Sequence, residues 1–330
     1  MYNYINERVI IMASIHDVAK LANVGTTTVS RVINKNGYVS KETLEKVNNA
    51  IEELNYAPNQ LGKNLRSRKS YLVALFVPTI FHPFFSKLAY YVESELYHKG
   101  YKMLLVNSQD EPDKEVKLMK MIHSGQVEGI IYVTHYNERI NFKSLPVVTL
   151  DRHIEGVPCI TSDNYNASKK ALYYLKKVGC QNIGFIGGKS STPTEVEKRY
   201  EAYLDFCKET GNPKTISYNE LKHGEELMIS KLFLDKNKTL DGIFCSSDLL
   251  TNACYLKLLE NGKKVPEDVK IIGYDGVLNE LVPDPVFTVV KQRIDLIAKE
   301  LVRTLLLRID EEEVEEIEYI SSEFVLGDTA

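Results

Sequence analysis

Four residues along one short stretch could read a nucleic acid. Thr26, Thr27, Ser30 and Arg31 fall on a single outward helical face, opposite Val29, Val32 and Ile33. Short hydroxyls beside a guanidinium suit a helix laid in a major groove, reading base edges and gripping phosphates. A second set of polar residues follows apolar runs far downstream: Asn107-Ser108, Asp151-Arg152, Ser162-Asp163-Asn164, Ser247-Asp248 and Asp275. In open α/β sheets a ligand crevice lies just beyond the carboxyl ends of the strands. Carboxylates and amides there pair with hydroxyls while an aromatic ring covers an apolar face. That mixture suits a sugar or another polyhydroxylated or heterocyclic small molecule.

Two different scaffolds must hold these sets. Ile15, Val18, Ala19 and Ala22 share one helical face, and Asn23-Val24-Gly25 supplies a sharp turn before the next helix. A third helix is expected from Lys41 to Leu54, capped by Ser40, with Leu44, Val47, Ile51 and Leu54 inward. Beyond residue 70 the pattern becomes strand, helix, strand, helix. Apolar runs at 72–77, 102–107, 129–133, 147–150, 182–187, 242–246, 270–274 and 287–291 read as strands buried on both faces. Helical stretches at 84–99, 114–124, 167–178, 195–210, 249–261 and 294–309 alternate with them. The expected class is α/β with parallel sheets behind an all-α helix-turn-helix head. The acidic run at 310–316 reads as a solvated loop.

Charge separates the same two parts. The 330-residue chain is 44% hydrophobic with a net charge of −4. Residues 13–70 hold nine Lys/Arg against five Asp/Glu, so they carry +4 and the remainder carries −8. A basic head on an acidic body is expected where only one end touches DNA. The five cysteines are scattered without a CxxC pair, as in a reducing compartment. The apolar run at 9–12 is too short for a signal peptide, and no run approaches membrane-spanning length, so a cytoplasmic protein without a membrane partner is expected. Several chemistries find no support. Gly187-Gly188-Lys189-Ser190 lacks the earlier glycine of a phosphate loop, since Ile183 stands there. The seven histidines have no metal-ligand spacing, and no Ser/His/Asp set sits on a nucleophile elbow. Neither enzyme activity, a catalytic residue, a metal nor a cofactor is expected.

The string DVAKLANVGTTTVSRVIN, then GYVS and NYAPN, resembles the lactose/galactose repressor family of bacterial transcription regulators. VPTIFHPFF, VEGII, VVTLDR, SDN, Arg199-x-x-Ala202-Tyr203, SSD, VPEDVKIIGYD and FTVVKQ repeat its other landmarks in order. The resemblance implies a helix-turn-helix domain at 14–58 after an extension at 1–13. It also implies a hinge helix and linker at 59–70 and a two-lobed, periplasmic-binding-protein-like body at 71–330. Lobe one would take about 71–162 and 291–319, lobe two about 163–290 and 320–330. The partners implied are double-stranded, pseudo-palindromic operator DNA, a small-molecule effector between the lobes, and a second copy of the chain, since a tetramer-forming tail is missing. Thr26 and Thr27 would face base edges and Arg31 a base or phosphate, with Ser30 beside them. Asn34, Tyr38 and Ser40 would hold the DNA backbone, Asn59 would also bind DNA, and Leu65 would be the hinge's minor-groove wedge.

Phe84, Phe85, Asp151, Arg199, Ser247, Asp275 and Gln292 match effector-pocket positions, and Asp163 stands beside the lobe crossing. Plainer roles stay open: Asp151 and Asp275 as caps, Arg199 as a surface cation, Phe84 and Phe85 as core, Asp163 as part of the crossing. RVINKNGYVS, THYN and SDNY are closest to sucrose-type repressors, which points to sugar control. A purine-type corepressor and a phosphocarrier-dependent carbon regulator are the alternatives within the family. Met12 stands directly before Ala-Ser-Ile, where the pattern begins, which makes it a possible start beside Met1. N-terminal sequencing of native protein distinguishes them: a chain opening at residue 12 or 13 supports Met12, and intact residues 1–11 refute it.

Overall fold

The computed structural model describes residues 13–56 and 69–330, apart from 110, 135–139, 141, 143, 144, 191, 222, 223 and 283. The expected extension, most of the expected hinge, and the positions of Asn59 and Leu65 lie outside the described residues. The chain divides into two units, Met1–Lys69 and Ser70–Ala330.

In the first unit, α1 (Ile15–Leu21), α2 (Thr26–Asn34) and α3 (Lys41–Glu53) enclose a small core of Val18, Ala19, Ala22, Val29, Val32, Val47 and Ala50. Ser14 and Asp17 close a reciprocal cap at the start of α1: the Asp17 amide donates to Ser14 Oγ at 3.3 Å and the Ser14 amide to Asp17 Oδ2 at 2.8 Å. Asn23 takes the left-handed conformation (φ 53°) at the turn, and Gly25 opens α2. Ser40 caps α3 by accepting from the Thr43 amide. Leu44, expected inward, is 41% exposed, and the small Ala50 takes the inward place instead.

The second unit carries two six-stranded sheets. The first runs through β1 (Leu72–Val77), β2 (Lys102–Asn107), β3 (Gly129–Tyr132), β4 (Val147–Leu150), β5 (Cys159–Ser162) and β11 (Ile317–Ile320), in the order β11-β5-β4-β3-β1-β2. The second holds β6 (Ile183–Gly188), β7 (Thr215–Asn219), β8 (Gly242–Cys245), β9 (Lys270–Asp275), β10 (Thr288–Lys291) and β12 (Glu323–Val325), in the order β12-β10-β9-β8-β6-β7. Every pairing is parallel except β10 with β12. Near-continuous apolar strands such as Leu72–Val77 are buried because helices cover both faces.

Helices α4 (Pro83–His98) and α11 (Ile294–Ile309) pack together over one face of the first sheet, and α5 (Pro112–His123) lies on the other. On the second sheet α6 (Asn164–Lys177) pairs with α7 (Lys198–Thr210), and α8 (Glu226–Lys236) with α9 (Asp248–Glu260). A short α10 (Leu278–Leu281) follows β9. The chain passes between the sheets three times: after β5, after β10 and between β11 and β12. Lys291 still belongs to the second sheet and Ile320 to the first, one residue away from the expected lobe boundaries. Among the described residues no helix is long and apolar enough to cross a membrane.

Four strands and one long helix escaped the sequence expectations. β7 and β11 are half-exposed sheet edges, β5 and β12 have four and three residues, and α8 opens on the charged pair Glu225 and Glu226. Leu301 of α11 is fully buried, whereas Leu296 on the same helix is 37% exposed. Leu301→Ala should therefore cost about 2–5 kcal/mol and Leu296→Ala less than about 0.5 kcal/mol. Urea midpoints of the two variants check this, and equal midpoints would contradict the packing of α11.

Candidate nucleic-acid interface and ligand cleft

The helix α2 presents the polar face that its sequence suggests. Thr27, Arg31 and Asn34 are exposed, and Thr26 and Ser30 are half-buried at its margin. Two of these side chains also serve the helix. Asn34 Nδ2 donates to Ser30 O at 2.8 Å and to Ser30 Oγ at 3.2 Å, while Ser40 Oγ is occupied as the cap of α3. Tyr38 projects from the loop between α2 and α3 and is 92% exposed. An aromatic so fully in water, in the loop after a helix that carries the exposed Arg31, is the composition of a contact surface rather than of a core.

The second unit contains a cleft of about 700 Å³ where the carboxyl ends of both sheets face each other. Its wall brings together Phe84, Phe85, Asp151, Arg199, Ser247, Asp275 and Gln292. Phe84 and Phe85 sit in the first two turns of α4, edge to face at 5.4 Å. His82 caps that helix, its Nδ1 accepting from the Phe84 amide at 3.3 Å. Asp151 and Asp275 end their strands in the left-handed region (φ 58° and 78°), which turns each side chain out of the sheet register. Ser247 both lines the cleft and caps α9.

Arg199 is the centre of the polar wall. It is 4% exposed, so it is no surface cation. Its Nε donates to Asn164 Oδ1 at 2.8 Å and Nη1 to Ser246 O at 2.6 Å, with Asp275 Oδ1 3.5 Å from Nη1. The guanidinium carbon lies 3.6 Å from the centre of the Tyr274 ring, which supports the plane from below. Asp275 in turn accepts from Gln292 Nε2 at 2.7 Å, and Gln292 Oε1 accepts from Ser162 Oγ at 2.6 Å. Ser162 and Gln292 stand on two of the three segments that join the sheets, so the buried ion pair is bonded to the crossings between them.

Asp151 is held differently. Thr161 Oγ1 donates to its Oδ1 at 2.5 Å, and burial pushes its carboxyl above the usual range against the pull of Thr161, Arg199 and Arg152. Its carbonyl accepts from Thr194 Oγ1 at 2.8 Å and from the Glu195 amide at 3.0 Å, across from the first sheet to the second. Asp248 stands behind Asp275 and accepts from the amides of Gly276, Val277 and Leu278. Burial and the charge of Asp275 push its acid up to about 7.

Asp163 stands apart from the cleft wall. It caps α6, accepting from the Asn166 amide at 3.2 Å, while its neighbour Asn164 reaches Arg199. Asn164, named in the sequence only within a strand-end set, holds Arg199, and Gln109 and Glu226 line the cleft without having been singled out. The SDN landmark contained the first. Gln109 follows Asn107-Ser108 in the left-handed region (φ 56°), and Glu226 opens a helix that the pattern did not disclose.

Comparison with known proteins agrees with this architecture. Residues 14–59 match the family described as bacterial regulatory proteins, lacI family. Residues 70–324 match periplasmic binding proteins and sugar binding domain of LacI family. A ribose operon repressor of Halalkalibacterium halodurans is 34% identical over 324 residues, covering 96% of this chain and 97% of its own. A sucrose operon repressor of Streptococcus mutans is 37% identical over 306 residues, covering 92% and 94%. The fold is shared with a Lac repressor structure bound to ONPG in the repressed state, 20% identical with a TM-score of 0.86 over 97% of this chain and 100% of that one. With both of its units matched, the chain belongs to the lacI family of bacterial regulatory proteins, DNA-binding regulators and not enzymes.

Proposed function

We propose that this regulator represses a sugar-utilisation operon in the cytoplasm and that a sugar held between the two sheets changes its grip on the operator. The observation that carries the reading is the buried Arg199–Asp275 pair in the wall of a 700 Å³ cleft, with Asp151 beside it and Phe84 and Phe85 on the same lining. Fixed donors and acceptors next to aromatic faces are what a polyol needs, since its hydroxyls must exchange their water partners for equally good ones. The ribose and sucrose operon repressors among its relatives support the same class.

The reading includes a homodimer. Leu227, Met228 and Leu232 of α8 and Leu256 and Leu259 of α9 are each 42–59% exposed on two helices that pack side by side. Such an apolar patch suits a two-fold interface, and a two-fold dimer presents two heads to a pseudo-palindromic site. Thr26, Thr27 and Arg31 would then read bases and phosphates, with Asn34, Tyr38 and Ser40 on the DNA backbone.

A sugar can drive the switch only through unequal affinity for the two lobe arrangements. Fluorescence anisotropy with a pseudo-palindromic operator duplex should show an affinity change of roughly 5–150-fold on adding the cognate sugar. Arg199→Ala, in a chain shown by its melt to be folded, should lose that sugar-dependent change. An operator affinity indifferent to every sugar tried, or an undiminished response in the variant, would refute the reading.

A further inference from the structure

Among the described residues that line the cleft, Asp151, Glu226, Asp275 and Arg199 bear the charge: three carboxylates against one guanidinium. The guanidinium is already engaged. Its Nε and Nη1 are taken by Asn164, Ser246 and Asp275, which leaves Nη2 for a ligand. Asp151 and Asp275 each have one oxygen in a short protein hydrogen bond and the other open. Glu226 has no cationic partner among the described residues.

Glu226 also stands where an anion would otherwise be welcome. It opens α8, an 11-residue helix, and the unpaired amides and dipole at such an end attract negative charge. Here the chain supplies that charge itself: Glu226 Oε2 accepts from the Gly224 amide at 2.9 Å, directly before the helix.

We propose, resting on the sugar-effector reading above, that the cleft takes an uncharged polyol and rejects its phosphate ester, with Glu226 as the specificity-determining residue that enforces the rejection. Sugar hydroxyls donate to the open oxygens of Asp151 and Asp275 and accept from Arg199 Nη2. The sugar's phosphate ester replaces one of those hydroxyls with a group of acceptor oxygens and brings a charge of roughly −1.5 to −2. Three carboxylates in a recess that screens poorly repel it, and one engaged arginine does not compensate. This selection also sets where the effector arises. It must be the sugar before phosphorylation, or the product of a reaction that releases an uncharged sugar.

The test is calorimetric titration of the full chain with neutral mono- and disaccharides, D-ribose and sucrose included, each paired with its own 5- or 6-phosphate. The parent sugar that binds should do so at least roughly tenfold more tightly than its ester. Glu226→Gln keeps an acceptor for the Gly224 amide and removes the charge. It should raise the ester-to-parent affinity ratio at least about fivefold. An ester that binds wild type as tightly as its parent, or a ratio unmoved by the substitution, overturns this proposal and leaves the sugar reading standing. Absence of binding by every sugar and every ester, in protein that melts cooperatively, overturns the sugar reading and this proposal with it.

Discussion

A guanidinium and a carboxylate buried side by side are stable only if most of the donors and acceptors around them are met, by the protein or by a ligand. Losing one partner of such a pair costs about 3–5 kcal/mol, whereas the pair itself adds little over an apolar replacement. Arg199 and Asp275 are therefore poor choices for a core and good ones for a binding site. Much of the second unit is arranged to meet their demands. Asn164 at the start of α6, the Ser246 carbonyl at the end of β8, the Tyr274 ring on β9 and Gln292 after β10 all converge on them. The left-handed backbone at Asp275, itself held by Asp248 through the amides that follow, aims the carboxylate.

The same chain of bonds joins the cleft to the crossings between the sheets. Ser162 leaves the first sheet and Gln292 leaves the second, and their side chains meet beside Asp275. A ligand hydroxyl on the open oxygen of Asp275 shares that carboxylate with Gln292, so occupancy and the relative setting of the two sheets draw on one set of hydrogen bonds. Two discrete arrangements of such a network are enough to bias a conformational equilibrium. At the other side of the cleft Asp151 adds a backbone tether to Thr194 and Glu195.

Much of this was legible before any coordinates. Central strands such as Leu72–Val77 and Lys270–Asp275 show themselves as apolar runs because helices cover both faces. Edge strands β7 and β11 do not, since half of each faces water and their composition matches that of loops. Polar residues at strand ends led to Asp151, Ser247 and Asp275, because a sheet's carboxyl edge is where backbone regularity stops and side chains can converge. Within the strand-end set the choice fell on Asp163 and not on Asn164, because the two differ only in which one faces inward, a matter of helix phase at the first turn. Glu226 was missed for lack of its helix. Its proximity to the cleft depends on how β7 and α8 fold back, and local pattern carries no trace of that.

The linkage through Gln292 is the claim most open to direct test. Operator affinity should be measured with and without saturating sugar in wild type and in Gln292→Met, which keeps the volume and removes both hydrogen-bonding atoms. The expected result is that sugar still binds the variant while the ratio of the two operator affinities falls close to one. A ratio equal to that of wild type, with sugar bound, would show that the cleft and the sheet crossings are not joined through this residue.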